Sequence, residues 1–308
     1  YGMNPENGVF GVAKDTNELT NPTAIDSIVP GTGAIFTNVA YNTDTHEVWW
    51  EGRGPKPTDL SGWLDWKGGV IADRTAEQAD EPWAHPNSRF TTTLANVPNV
   101  ATDFEDPKGV EIHGIIFGGR TRDREPLIRA ITDVPEGVYD GLTLGAEATA
   151  AADGLEGVLR YDPMSMRPFL SYPEGDYAAN WLKVIGQATT KPIFAHVNWF
   201  QRDAEDGHFL WPGYRDNLRP LLWLMQLRKG EVKGQQTPVG VIPLLSELNL
   251  EGCEATAEDM EKLLTIDHAR WQQEMANRKE HLEQFPTLPQ EIWEAHNRIQ
   301  AAFDAEES

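Results

Sequence analysis

Two stretches, Ala84-His85-Pro86-Asn87-Ser88-Arg89-Phe90 and Gly114-Ile115-Ile116-Phe117-Gly118-Gly119-Arg120, each hold one arginine among groups too small or too polar to bury it. Arginine presents a planar fork of donors that stays charged and meets a carboxylate or phosphate with two parallel hydrogen bonds. Both stretches therefore read as anion clamps, and for each the competing explanation is an ion pair with one of the chain's many acids. A second cluster is aromatic: Trp199, Phe200, Phe209, Trp211 and Tyr214, in a span that ends at Asn217. Flat rings on two chain segments could sandwich a planar base while an asparagine amide or a backbone amide reads its edge. The competing explanation here is an ordinary core cluster.

The elements that must position these groups follow from periodicity. Ile115 to Phe117 is an apolar run that breaks at two glycines, so Arg120 is delivered at a strand end, where ligand-binding groups of α/β proteins tend to lie. Gly8–Ala13 predicts a strand, and Ala34–Ala40 with Glu47–Glu51, joined by Tyr41–His46, predicts a hairpin. From Gly52 to Asn87 glycine, proline and tryptophan accumulate without period, which predicts a long ordered surface excursion leading to the first clamp. Gly137–Gly145 reads as a further strand. Ala146–Gly157 carries almost no anchoring side chain and is either a short surface helix or a lid that closes over a ligand. Asp176–Gln187 predicts an amphipathic helix with Tyr177, Trp181 and Val184 or Ile185 on one face, Ile193–Phe200 a strand, and Leu218–Arg228 a helix with Pro220 in its first turn. The end is helical: Thr256 caps a segment running to about Phe285, and Pro289 opens a last helix with Ile292, Trp293, His296 and Ile299.

Composition bounds the function. The 308 residues are 40% hydrophobic and can bury a sizeable core. A formal charge of -22 argues against a broad nucleic-acid or anionic-membrane footprint, so an anionic substrate needs a local basic pocket. Much of the acidity lies beyond Glu251 and reads as solvated helix surface. The single cysteine, Cys253, cannot form an intrachain disulfide and fits a reducing compartment, the cytoplasm. No apolar run reaches membrane-spanning length, and Tyr1-Gly2-Met3-Asn4-Pro5 resembles neither a signal peptide nor a natural start, which points to a fragment. There is no G-x-x-x-x-G-K-[ST] phosphate loop, no cysteine cluster, no histidine pair at metal-ligand spacing on a helix and no Gly-x-Ser-x-Gly. The chain supplies arginines and aromatics without a self-contained catalytic centre.

Six segments in register carry a resemblance. They are Asn4–Ala13 (NPENGVFGVA), His85–Phe90 (HPNSRF), Gly114–Arg120 (GIIFGGR), Glu147–Ala152 (EATAAA), Asp162–Phe169 (DPMSMRPF) and His196–Phe200 (HVNWF). Together they closely resemble GTP-dependent phosphoenolpyruvate carboxykinase, and the likeness extends over essentially the whole chain. It implies an α/β, mixed-sheet fold of the C-terminal half, with a nucleotide-binding part, a mobile Ω-loop lid and a helical C-terminus. On that basis 1–145 would be a strand-rich part with both arginines, 146–245 the lid and guanine pocket, and 246–308 a helical tail. The family converts oxaloacetate and GTP to phosphoenolpyruvate, GDP and carbon dioxide through a metal-stabilised enolate that then takes the phosphoryl group.

Carried over by motif, Asn87, Ser88 and Arg89 would contact the oxaloacetate or phosphoenolpyruvate, Arg89 would also reach nucleotide phosphate, and Arg120 would face the transferred phosphoryl; Arg89 and Arg120 are the catalytic candidates. Phe200, Phe209 and Tyr214, the last where relatives usually carry phenylalanine, would form the guanine pocket beside Arg215, Asp216 and Asn217. The lid would be Ala148, Thr149, Ala150, Ala151, Ala152, Asp153, Gly154, Leu155, Glu156 and Gly157, with a less polar and less basic tip than in relatives. Manganese and magnesium are the implied metals, with their ligands, the phosphate loop and a further substrate arginine expected upstream of Tyr1. The implied partners are small molecules only, and the complete protein is expected to be a monomer. A noncatalytic purine-nucleotide-binding module is the alternative from another class; an ATP-dependent carboxykinase does not share these motifs.

Overall fold

In the first of two units, Tyr1–Val110, the strand that carries Arg89 is the centre of a sheet. The computed structural model describes residues 8–148 and 157–306. Strands β1 (Gly8–Val12), β2 (Ile35–Thr37), β3 (Ala40–Asn42), β4 (Val48–Trp49), β5 (Trp63–Leu64) and β6 (Arg89–Thr93) form two small antiparallel sheets, ordered β1-β6-β2 and β4-β3-β5, with the short helix α1 (Pro22–Asp26) beside them. The expected hairpin is thus narrower than its sequence suggested. Ala40 pairs with Trp49 and Tyr41 with Val48, whereas Ile35–Thr37 leaves that ladder and pairs with β6. The separation falls at Asn38, whose φ of +57° turns the chain between the two strands. The Gly52–Asn87 excursion is ordered but not merely superficial, because Trp63, Ile71 and Trp83 close on Ala40 and Trp49 as a small core of their own.

The second unit, Glu111–Ser308, is built on a mixed five-stranded sheet. Its strands are β7 (Gly114–Gly118), β8 (Ile128–Ile131), β11 (Ile193–Val197), β12 (Gln235–Thr237) and β13 (Gly240–Ile242), in the order β12-β13-β8-β11-β7; β9 (Gly145–Glu147) and β10 (Leu159–Tyr161) form a separate antiparallel pair. Only β11 and β7 run parallel, with His196 level with Phe117 and Val197 level with Gly118. Every residue of β11 is buried, and its alternation sorts side chains to two cores. Phe194 joins Phe117, Tyr139, Trp271 and Phe303 on one face. Ile193, Ala195 and Val197 join Trp211, Trp223 and Leu263 on the other.

Helices cover both faces: α2 (Val134–Leu142), α3 (Glu174–Gln187), α6 (His268–Leu282) and α7 (Gln290–Glu306) supply the first core, and α4 (Leu218–Lys229) and α5 (Ala257–Leu263) the second. Helix α2 corrects the sequence expectation of a strand over Gly137–Gly145. Asp133 caps it by accepting from Glu136 N at 3.0 Å, and Pro135 sits in its first turn. Gly137 and Gly141, one turn apart, let the helix press on the sheet: a Cβ at Gly137 would stand 2.2 Å from the Phe194 ring, and one at Gly141 2.5 Å from the Phe117 ring. Two glycines of the expected strand are the contact face of a helix.

Three other expectations are adjusted. On α3 the buried residue is Ile185, while Val184 is 57% exposed. Thr256 caps as predicted, accepting from Asp259 N at 3.1 Å, but the single helix to Phe285 is two. Its break follows from Leu127 N, which takes the Leu263 carbonyl at 2.9 Å, and from Asp267, which recaps the chain through Arg270 N at 3.0 Å. The acidic C-terminal stretch is not all solvated surface either. Glu274 is 2% exposed and belongs to a buried cluster with Arg124, Arg129, Arg278, Glu125, Asp140 and His196. Burial alone would raise the Glu125 and Asp140 carboxyls; the guanidiniums of Arg129 and Arg278 outweigh it and hold both below the usual carboxylate range.

Candidate functional site

Arg89 is fixed from three sides in the first unit. Its backbone pairs with Val12 of β1 and Thr37 of β2, its guanidinium lies 5.3 Å from the Phe10 ring centre, and its Nε donates to Asn87 Oδ1 at 3.0 Å. The turn before it is shaped by His85: Nδ1 accepts from Asn87 N at 2.9 Å and the carbonyl accepts from Ser88 N at 2.8 Å. Trp66 packs edge-on against the imidazole with ring centres 4.7 Å apart. Ser88 is fully buried, and its hydroxyl has no hydrogen-bond partner among the described residues. An orphan hydroxyl beside a half-buried arginine is what a polar ligand would satisfy.

Arg120 belongs to the second unit and leaves the end of β7. Its carbonyl accepts from Glu147 N at 2.7 Å, and its Nε reaches the Glu147 carbonyl at 3.4 Å. The Glu147 carboxylate holds the next turn, accepting from Arg122 N and Arg122 Nε at 2.8 Å each. Gly119 is required here because a Cβ would lie 2.5 Å from the Gly145 carbonyl oxygen. The Arg120 guanidinium then rests over the ring of Phe200, 5.3 Å from its centre. Among the described residues neither Arg89 nor Arg120 is in an ion pair; each contacts neutral groups instead.

The aromatic cluster divides. Trp211 is core, 1% exposed, whereas Phe200, Phe209 and Tyr214 are 37%, 47% and 73% exposed. Phe200 and Phe209 meet edge to face with centres 6.3 Å apart, and Arg202, which the sequence reading passed over, lies 3.9 Å above Phe209. Tyr214 makes no ring contact among the described residues, and Arg215 beside it is exposed with a left-handed φ of +82°. Asp216 is buried and paired with Arg219 at 2.6 Å. Asn217 Oδ1 accepts from Trp211 Nε1 at 2.9 Å, so the amide is oriented with its NH2 left to donate.

Of the expected lid, Thr149, Ala150, Ala151, Ala152, Asp153, Gly154, Leu155 and Glu156 lie outside the described residues. Its ends meet: Gly157 N donates to the Ala148 carbonyl at 3.0 Å, and β9 and β10 pair directly behind them. The described flanks are strand β9 on one side and a turn at Gly157 on the other.

Two groups among the described residues bring three potential metal ligands together, and neither fits a divalent cation. Glu125, Asp140 and His196 are already neutralised by Arg129 and Arg278. In Asp203, Asp206 and His208, Asp203 holds Lys262 at 2.7 Å and is pulled to about 2 by that ammonium. His208 is engaged by Asp206 on one nitrogen and Asp259 on the other, contacts that raise its pKa.

The second unit is thus a mixed α/β unit with a cation and a ring at adjacent strand ends. The chain belongs to the family described as phosphoenolpyruvate carboxykinase C-terminal P-loop domain, which it matches over residues 1–302. It is 42% identical over 294 residues to the phosphoenolpyruvate carboxykinase [GTP] of Anaeromyxobacter sp. (strain K), covering 95% of this chain and 48% of that protein. It is 41% identical over 310 residues to the protein of the same name from Corynebacterium efficiens, covering 98% of this chain and 49% of the relative. The chain thus spans about half the length of the curated relatives it matches. Among the described residues no helix is long and apolar enough to cross a membrane.

Proposed function

We propose that the chain is the nucleotide-binding half of a GTP-dependent phosphoenolpyruvate carboxykinase, which forms phosphoenolpyruvate, GDP and carbon dioxide from oxaloacetate and GTP in the cytoplasm, in gluconeogenesis or anaplerosis. The observation that carries this is the Arg120 guanidinium seated over Phe200 at the ends of the parallel strands β7 and β11, with Phe209 next to that ring. A cation and a base-sized aromatic edge in one place suit a nucleotide's phosphate and base.

In this proposal Asn87, Ser88 and Arg89 bind and orient the oxaloacetate or phosphoenolpyruvate, with the orphan Ser88 hydroxyl available to its polar groups. Arg89 also reaches nucleotide phosphate, and Arg120 faces the phosphoryl group as it passes from GTP to the enolate oxygen. Fixed cations at these points stabilise the transferred charge and hold the reactants in line. The Ala148–Gly157 segment, closing over its hydrogen-bonded base, would keep water from the enolate, which would otherwise be protonated to pyruvate. Manganese and magnesium would take their ligands from residues other than those described. Bound there, such a cation stabilises negative charge on the enolate oxygen.

Phe200, Phe209 and Tyr214 would enclose the guanine, flanked by Arg215 and Asp216, and Asn217 would donate its free NH2 to the carbonyl oxygen at position 6. Adenine carries an amino group there, so the contact separates GTP from ATP but not GTP from ITP. The test is phosphoenolpyruvate formation by the complete protein, with manganese present. Asn217→Ala is expected to lower the GTP over ATP preference about tenfold or more while leaving GTP over ITP unchanged. Nucleotide binding without any turnover would favour the noncatalytic binding module.

A further inference from the structure

The side chain of Asn198 sits where the two ligand-facing segments leave the sheet. It follows β11 directly and is completely buried. Its Oδ1 accepts from Thr121 N at 3.4 Å and from Phe200 N at 3.1 Å. Its Nδ2 donates to the Thr121 carbonyl at 2.8 Å, to Thr121 Oγ1 at 3.1 Å and to the Glu125 carbonyl at 3.1 Å. Thr121 is the residue after Arg120, and Phe200 is the ring beneath the Arg120 guanidinium. One amide therefore joins the segment that presents the cation to the segment that presents the ring.

We propose that Asn198 is a positioning residue that fixes the distance between the phosphate arginine and the base ring, so that a guanine nucleotide engages both at once. The inference rests on the function proposed above. Glu147 holds the Arg120 segment, and Arg202 N donates to the Arg122 carbonyl at 3.0 Å farther along. Asn198 joins the two segments between Arg120 and Phe200 themselves, and a ligand that touches both gains affinity only if their separation is set before it arrives. Asparagine suits the place because it needs an acceptor for two backbone N–H groups and donors for two carbonyls and a hydroxyl on the same planar group. Aspartate keeps the acceptor but turns an oxygen toward the carbonyls of Thr121 and Glu125. Backbone carbonyls that lose their donor and face an oxygen instead in a buried place are driven to move.

A ligand that spans the two segments should feel the loss, and a ligand that touches one should not. The complete protein is titrated with GDP, which has base and phosphates, and with guanosine, which has the base alone; unfolding midpoints are measured beside them. Asn198→Asp is expected to weaken GDP about tenfold and guanosine less than twofold. Thr121→Val, which removes only the hydroxyl contact, is the milder variant that keeps the test open should Asn198→Asp not fold. It should weaken GDP about twofold to threefold, with guanosine and the unfolding midpoint unchanged. Parallel losses for GDP and guanosine that track the unfolding midpoint would mean a merely structural role and overturn the inference, as would unchanged GDP binding in both variants. No binding of GDP by the unaltered protein overturns the proposed function and this inference with it; binding that the variants leave untouched removes the inference alone.

Discussion

Asp140→Asn keeps the shape of the buried charge cluster and deletes one of its charges. Arg124, Arg129 and Arg278 face Glu125, Asp140 and Glu274, three guanidiniums against three carboxylates. The Asp140 carboxylate takes Arg129, lies 3.1 Å from His196 Nδ1 and 3.5 Å from Arg278 Nη1, and both arginine side chains are 2% exposed. The variant leaves a positive charge uncompensated out of water, which costs about 3–5 kcal/mol. For a unit of this size that corresponds to a fall in Tm of roughly 10 °C. The assay is urea unfolding with calorimetry at pH 7 on the complete protein. A companion variant, Asp140→Asn with Arg278→Met, restores the balance and should recover most of the loss, since a well-packed neutral group can replace a buried pair at little cost. Below pH about 4 the gap between wild type and the single variant should narrow. A carboxyl whose folded pKa is depressed contributes stability above its unfolded value, and that contribution is lost as the pH falls toward the folded one. A loss below about 1 kcal/mol at pH 7, or a double variant weaker than the single one, would refute the reasoning.

Gly141→Ala puts a Cβ 2.5 Å from the Phe117 ring and should destabilise by about 1–3 kcal/mol, whereas Gly186→Ala, on α3 with nothing within 4 Å, should stabilise by a few tenths to about 1 kcal/mol in the same unfolding assay. Arg89→Lys should lower kcat/KM for phosphoenolpyruvate formation on the order of 100-fold with little change in Tm, because a point charge cannot reproduce the fork; unaltered kinetics would remove the clamp. His208, bonded to Asp206 and Asp259, ties the turn before Phe209 to the start of α5. Its pKa is raised, so that tie is present below the unfolded value and lost as pH rises through the folded one. Hydrogen exchange at 203–209, corrected for intrinsic rates, should accelerate over that interval, and His208→Gln should abolish the step.

The strand at Gly8, the buried strand at Ile193, the helices at Asp176 and Leu218 and the Thr256 cap were legible because each is written in local periodicity or capping chemistry. Helix α2 was not, because Gly137 and Gly141 have meaning only against Phe194 and Phe117, residues that the sequence does not place beside them. The same holds for Glu274, which looks solvated until Arg124 and Arg278 close on it. At the candidate site the residue types were readable, but the seating of Arg120 on Phe200 depends on the parallel pairing of β7 with β11, and the single run of aromatics gave no sign that Trp211 turns inward while Phe209 stays out. Asn198 stood inside the expected strand Ile193–Phe200 and the HVNWF segment, with no sign of what its side chain joins until both of its partners are known.

The order in which β11 hands on its chain has an evolutionary consequence. Asn198 and Phe200 come first and are bound to the Arg120 segment, while Phe209, Tyr214 and Asn217 follow beyond the turn at 203–207 and share no hydrogen bond with it among the described residues. Of the residues that we propose meet the base, Tyr214 and Asn217 are thus separable from those that hold the phosphate, whereas Phe200 would serve both and Phe209 rests on it. Under that proposal, selection confined to 214–217 would retune which nucleotide is accepted without disturbing the cation seated on Phe200, and the segment would be a module for base choice beside a separate phosphate anchor.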